Sequence, residues 1–86
     1  MKDWWVYIIR CSDNSYYTGI ATDPQRRFAE HANGRGAKYF RSRKPQQIVF
    51  QEGGYDRSAA SKREWQIKAL TRQEKELLVD SKHSPD

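Results

Sequence analysis

The sequence predicts a small α+β domain, a three-stranded antiparallel sheet flanked by helices in the order β-β-α-β-α-α. Three observations carry that prediction. The aromatic and β-branched runs WWVYII and YYTGI are separated by the turn residues SDNS, which is the pattern of a hairpin. A third run of the same kind, QIVFQ, follows only after a capped helical stretch and a polar loop. The remainder reads as two helices, the second opened by a capping box, TRQE. With 86 residues the chain is expected to form one domain over residues 1–86, with its core at about 4–80 and a frayed tail at 81–86.

Each element has a local reason. Trp4 to Ile9 is rich in strand formers and lacks a helical period, so it reads as the first strand. Ser12 to Ser15 turns the chain, and Tyr16 to Ile20 is the return strand. Asp23 is placed as a helix N-cap with Pro24 at the first helical position, and Asn33-Gly34 ends that helix because glycine enters the left-handed region freely. Residues 34–45, GRGAKYFRSRKP, read as a basic loop closed by Pro45. Gln47 to Gln51 is the third strand, with Gly53-Gly54 expected to break it. Helices are expected over about 57–70 and from Thr71 to about Asp80. Three strands alone cannot bury a face, so the helices must cover the sheet and are expected to supply most of the core.

Composition narrows the function classes. Charged residues are 31% of the chain, but aromatics are 13% and cluster in the strands, which indicates a folded domain with a thin core rather than disorder. Cys11 is the sole cysteine, which excludes an intrachain disulfide and a zinc cluster and reads as a half-buried strand residue. MKDWWVYIIRC lacks the apolar run of a signal peptide and no apolar stretch is long enough to span a bilayer, so a cytoplasmic setting without a membrane partner is expected. The net charge of +5 is unevenly placed: residues 24–55 hold seven basic and two acidic groups, while the flanking thirds nearly balance. Within 35–44 lie Arg35, Lys38, Arg41, Arg43 and Lys44, with Tyr39 and Phe40 interleaved and no acidic residue. Cations with flat rings between them suit a phosphate backbone and unpaired bases stacking on Tyr39 or Phe40. A solubility-promoting loop is the plainer alternative. The glycines are too irregular for a nucleotide-binding fingerprint, and no GKS or GKT follows.

A few residues carry chemistry by position. Arg27 and His31 are one helical turn apart on one face, although Arg26, Arg27, Glu30 and His31 would also serve as a solvated stripe opposite Phe28 and Ala32. Glu64 lies four residues after Ala60 and three before Ile67, on the apolar stripe of its helix. A carboxylate there must be paired, bind a cation or line a cleft, and Lys68 is available as an i,i+4 partner. Tyr7 and Tyr17 can accept a proton from water or grip a phosphate, though either ring could be packing, and base chemistry at a phenol needs a nearby cation.

Taken in order, WVY at 5–7, YTG at 17–19, Arg27 in QRRFAEH, the GRGAKYFRSRKP stretch and Glu64 in SKREWQIKAL resemble the GIY-YIG nuclease domain, most closely the small single-domain bacterial UPF0213 (YhbQ-like) group. The resemblance runs from about residue 4 to 80. It implies a GIY-YIG-like fold and hydrolysis of phosphodiester bonds with one divalent cation, Mg²⁺ or Mn²⁺. In those terms Glu64 binds the metal and Arg27 stabilises charge at the phosphate. Tyr7 is the usual candidate to activate the attacking water, with Tyr17 supporting or replacing it, and His31, one turn after the arginine where relatives carry histidine or tyrosine, joins the catalytic set. Nucleic acid, above all branched or damaged DNA, is the implied partner, held by Arg26, Arg35, Lys38, Tyr39, Arg41, Arg43 and Lys44, with a protein partner supplying target choice and DNA repair as the implied setting. WVY and YTG depart from the family triplets but keep both tyrosines and the second glycine, and no asparagine follows Glu64, where many members have one. Two alternatives stand beside this reading: a non-catalytic nucleic-acid-binding module, and an interaction adaptor using Trp4 or Trp65. If Tyr7 and Tyr17 act together, they must share a cleft with Arg27, which demands a particular hairpin register or a bulge.

Overall fold

Side chains of the strand WWVYIIRC alternate between two faces, yet Val6, Tyr7, Ile8, Ile9 and Cys11 are all buried. That burial requires cover on both sides. In the computed structural model, which describes residues 2–35 and 38–82, β1 (Trp4–Cys11) is the middle strand of an antiparallel sheet, between β2 (Tyr16–Ala21) and β3 (Pro45–Tyr55). Helix α1 (Pro24–Ala32) and a single 3-10 turn at Lys38–Arg41 cover one face, where Tyr7, Ile9, Cys11 and Phe40 form a core with Tyr17 and Phe28 against it. Helices α2 (Arg57–Lys68) and α3 (Arg72–Lys82) cover the other, where Val6, Ile8, Val49 and Phe50 meet Ala60, Ile67 and Val79. The element order and sheet are those the sequence predicts.

The source of the core is not as expected. Seven of the eleven buried hydrophobic residues among those described lie on strands, and α1 and α2 together bury only Pro24, His31, Ala60 and Ile67. These helices are short and heavily charged, so the sheet carries the core and the helices close it. Cys11 is fully rather than half buried, and burial pushes its thiol above the ordinary value.

Local chemistry sets the boundaries. The Asp23 carboxylate accepts the Arg26 N–H at 3.1 Å, and Gly34 has φ +78° just past the end of α1. The capping box closes reciprocally, Thr71 N–H to Glu74 Oε1 at 2.8 Å and Glu74 N–H to Thr71 Oγ1 at 3.2 Å. Gly53-Gly54 does not break β3, which continues to Tyr55. Trp4 pairs with Tyr55 but Val6 with Glu52, so β3 carries an extra residue there, and Gly54 at φ +90° absorbs the bulge. Gly53 is required for a different reason: a Cβ there would sit 2.9 Å from the Trp5 ring. Within the basic segment Lys38–Arg41 forms the 3-10 turn, α2 ends at Lys68 and α3 continues to Lys82. Gly36 and Ala37 of the basic segment lie outside the described residues, and of the tail expected at 81–86, residues 81–82 belong to α3 instead while 83–86 lie outside the described residues. No helix among the described residues is long and apolar enough to cross a membrane.

Candidate active site

The hairpin register brings the two tyrosines together. Tyr7 pairs with Gly19 and Ile9 with Tyr17, so Tyr7 and Tyr17 project from the same face, with ring centroids 6.4 Å apart. No bulge between β1 and β2 is needed. The Tyr7 ring lies across β2 at Gly19, where a Cβ would fall 2.6 Å from its hydroxyl and 2.8 Å from Cζ. Since β2 is an edge strand, the Tyr7 hydroxyl is carried toward the sheet margin. Gly19→Ala is therefore expected to lower stability by about 1–3 kcal/mol through overpacking and to displace the phenol from its place. Urea denaturation reads the first effect and the Tyr7 ring resonances the second.

Helix α1 crosses this face with His31 inward, 1% exposed, and Arg27 one turn earlier at the rim. The solvated-stripe alternative thus fails for His31, and it is Ala32 that faces solvent. The His31 ring is held by hydrogen bonds at both nitrogens. Nδ1 lies 3.3 Å from the Arg35 carbonyl, which can only accept, so Nδ1 carries the proton and Nε2 is left with its lone pair. The Tyr7 hydroxyl, 3.4 Å from Nε2, then donates to it. Burial and the Arg27 charge push the imidazole below its ordinary value, which keeps it neutral in this role. Tyr17 and Phe40 flank the ring, centroids 5.4 and 4.3 Å away.

The depressed imidazole makes a stability prediction. An unfolded chain takes up a proton on His31 near 6.5, whereas the folded protein does so only at lower pH. Between those values the unfolded state binds more protons, so stability falls as pH falls, and above 6.5 this contribution to the slope disappears. Thermal melts followed from pH 7.5 downward should show a decline that is reduced in His31→Gln.

Burial and then Tyr17 push the Tyr7 phenol well above its ordinary value, against the opposing Arg27 guanidinium. Tyr17 is raised as well, by burial and then by Glu64. The Glu64 charge raises both phenols, for Tyr7 as the weakest of the influences. Glu64 has 24% of its side chain exposed and its carboxylate lies 3.5 Å from the Lys68 ammonium. Among the described residues no three His, Cys, Asp or Glu side chains converge on a metal position. A single shielded carboxylate already paired with a cation fits a hard ion that keeps most of its waters and takes further oxygens from substrate, as Mg²⁺ does.

The basic segment is only partly free. Arg43 donates to the Asp13 carboxylate at 2.7 Å and stacks over Tyr39 at 4.4 Å, and the Tyr39 hydroxyl donates to Ser15. Hydrogen bonds from Ser12 to the Lys44 carbonyl and from Lys44 to the Ser12 hydroxyl pin the end of the segment to the hairpin. Phe40 is buried, so no base can stack on it, and Tyr39 is held within an aromatic cluster with Tyr17 and Phe40. Arg26, Arg35, Lys38, Arg41 and Lys44 are exposed. Arg41, Arg43, Lys44 and Ser42 open onto a cavity of about 260 Å³ that His31 also lines. Arg27 lines a second opening of about 170 Å³ with Asp23, Arg26 and Glu30.

Three contributors to this site escape a reading by residue type. Glu30 pairs with Arg27 at 2.8 Å and orients it, a partnership visible only in the i,i+3 spacing. Gly19 admits the Tyr7 ring, and the Arg35 carbonyl fixes the His31 tautomer, which no side-chain pattern signals.

A three-stranded sheet with tyrosines from both hairpin strands, an arginine from the following helix and a glutamate from a later one defines a class. The chain belongs to the GIY-YIG family, a nuclease family, and matches its catalytic domain over residues 3–77. Its curated relatives include UPF0213 proteins of Cronobacter sakazakii, 48% identical over 92% of this chain and 83% of that one, and of Staphylococcus saprophyticus, 46% identical over 92% and 96%. The solution NMR structure of a UPF0213 protein from Bacillus halodurans is similar at TM-score 0.60 and 43% identity, covering 95% of this chain and 87% of that one. A protein of E. faecalis, also solved by solution NMR, aligns at TM-score 0.62 and 37% identity, covering 96% and 92%.

Proposed function

We propose that this chain is a metal-dependent endonuclease that hydrolyses phosphodiester bonds in DNA, with branched or damaged structures as its targets. The observation that carries the reading is the grouping of Tyr7, Tyr17 and His31 on one sheet face with Arg27 at its rim, in a chain that matches the GIY-YIG catalytic domain over residues 3–77 and keeps the half-buried Glu64 carboxylate on α2. A surface that only binds polyanions gains nothing from a carboxylate in that position. The basic segment suits either reading, so it is Glu64 that favours hydrolysis over a non-catalytic module.

The chemistry follows from the residues. Burial keeps Tyr7 protonated, so it is no standing phenolate. With His31 Nδ1 protonated, the Tyr7 hydroxyl is placed to donate to the neutral Nε2, 3.4 Å away. A water attacking phosphorus can therefore pass its proton to the Tyr7 oxygen as Tyr7 passes its own to His31, leaving an imidazolium that the Arg35 carbonyl stabilises. The new O–P bond forms as the bond to the leaving oxygen breaks. Arg27, oriented by Glu30, holds the equatorial oxygens where charge accumulates. Tyr17 walls the site beside His31. Glu64 would hold one divalent cation, Mg²⁺ or Mn²⁺, which supplies Lewis-acid stabilisation of the phosphate and the leaving oxygen. Arg26, Arg35, Lys38, Arg41 and Lys44 would follow the backbone, and a protein partner would supply target choice.

The test is a panel of supercoiled DNA, flaps, forks, four-way junctions, single strands and RNA, each with and without Mg²⁺ or Mn²⁺. Metal-dependent cutting of at least one DNA substrate is the expected result. Salt-sensitive binding without cleavage under either metal would select the non-catalytic module instead.

A further inference from the structure

Trp65 is left unused by this chemistry. It follows Glu64 directly on α2, yet it is 73% exposed, because the helix turns Ala60 and Ile67 toward the core and Trp65 away from it. Ser58, Ser61, Lys62 and Gln66 line a shallow groove of about 590 Å³ beside the indole. Lys62 and Lys68 stand three residues before and after it, one cation on either side of the ring along the helix. Lys68 pairs with Glu64, whereas Lys62 makes no ion pair among the described residues.

Going round the helix from Glu64, Lys68 and Ser61 come next and then Trp65, so a strand passing Glu64 has a cationic and hydroxylic path to the indole. The other aromatic candidates near the site are committed. Phe40 is buried, Tyr39 is tied to Ser15 and Arg43, and Trp5, 37% exposed, lies against Gly53. A flat, open ring flanked by cations suits the face of a nucleobase, and a base inside a duplex does not present its face. Resting on the hydrolytic reading above, we infer that Trp65 is a stacking platform for an unpaired base close to the scissile phosphate. The substrate class is then DNA with a single-stranded segment at the cut site, such as a flap or an open junction, rather than a continuous duplex.

The test compares metal-free binding of a blunt duplex and of the same duplex carrying a single-stranded tail, by fluorescence anisotropy at fixed salt, for wild type, Trp65→Ala and Trp65→Phe. Trp65→Ala should weaken binding of the tailed duplex about tenfold, leave the blunt duplex unchanged, and be largely rescued by Phe. Equal losses on both duplexes, no loss on either, or a change in the sedimenting mass of Trp65→Ala, which would mean that the ring covers a protein surface, each overturns the platform. Failure of the wild type to bind or cut any DNA removes the nuclease reading as well. Wild-type cutting with a tailed-to-blunt preference indifferent to residue 65 removes only the platform.

Discussion

Glu64→Gln should abolish cleavage while leaving the fold and nucleic-acid binding nearly intact. The substitution keeps the shape of the side chain and removes only its charge. Its present partner, Lys68 at 3.5 Å, is 56% exposed, so losing that pair should cost no more than about 0.5 kcal/mol. Catalysis depends on the charge far more strongly. Without it the carboxylates beside Arg27 are Glu30, already paired with that guanidinium at 2.8 Å, and Asp23, engaged as the cap of α1. Loss of several kcal/mol of charge stabilisation corresponds to a rate decrease of about a thousandfold or more. Single-turnover cleavage, with the melting temperature measured on the same preparation, separates the two effects. Cleavage at the wild-type rate would remove Glu64 from the chemistry.

Tyr7→Phe is the second large effect. The ring is buried against Gly19 and stays in place, so only the hydroxyl is lost, together with its contact to His31. Stability should fall by about 1–2 kcal/mol, because the His31 nitrogen loses a donor in a buried setting. The cleavage rate should fall by about 10²–10⁴-fold, the span typical of a general-base contribution. If Tyr7 and His31 form one relay, adding His31→Gln to Tyr7→Phe should cost little further, since a broken relay cannot be broken twice. Two independent, multiplying losses would separate the residues mechanistically. A Tyr7→Phe protein that cuts normally would reduce Tyr7 to packing.

What the sequence discloses and what it hides divide along physical lines. Signals that act within a few residues read correctly: the Asp23 cap, the Thr71–Glu74 box, and the hairpin turn at Ser12–Ser15, where Asn14 takes φ +67°. Signals that depend on distant partners do not. Gly53-Gly54 looks like a terminator because a glycine pair is locally indistinguishable from a bulge, and only the Trp5 ring above Gly53 decides the matter. The density of cations in GRGAKYFRSRKP conceals that Phe40 anchors the segment and that Asp13, thirty residues earlier, has already claimed Arg43. The site shows the same division. The types and order of Tyr7, Tyr17, Arg27, His31 and Glu64 were legible. The direction of His31 and the field of Glu64 on both phenols follow from the sheet register and the packing of α1 and α2, which no local pattern encodes.

Mn²⁺ titration of the ¹⁵N-labelled protein tests the central claim most directly, because a paramagnetic ion broadens amides near its site whether or not cleavage occurs. The account predicts joint broadening of signals from β2 around Gly19, from α1 around Arg27 and from α2 around Glu64, lost in Glu64→Gln. Broadening confined to the acidic positions of α3, Glu74, Glu76 and Asp80, with the Gly19 and Arg27 signals unchanged, would contradict it.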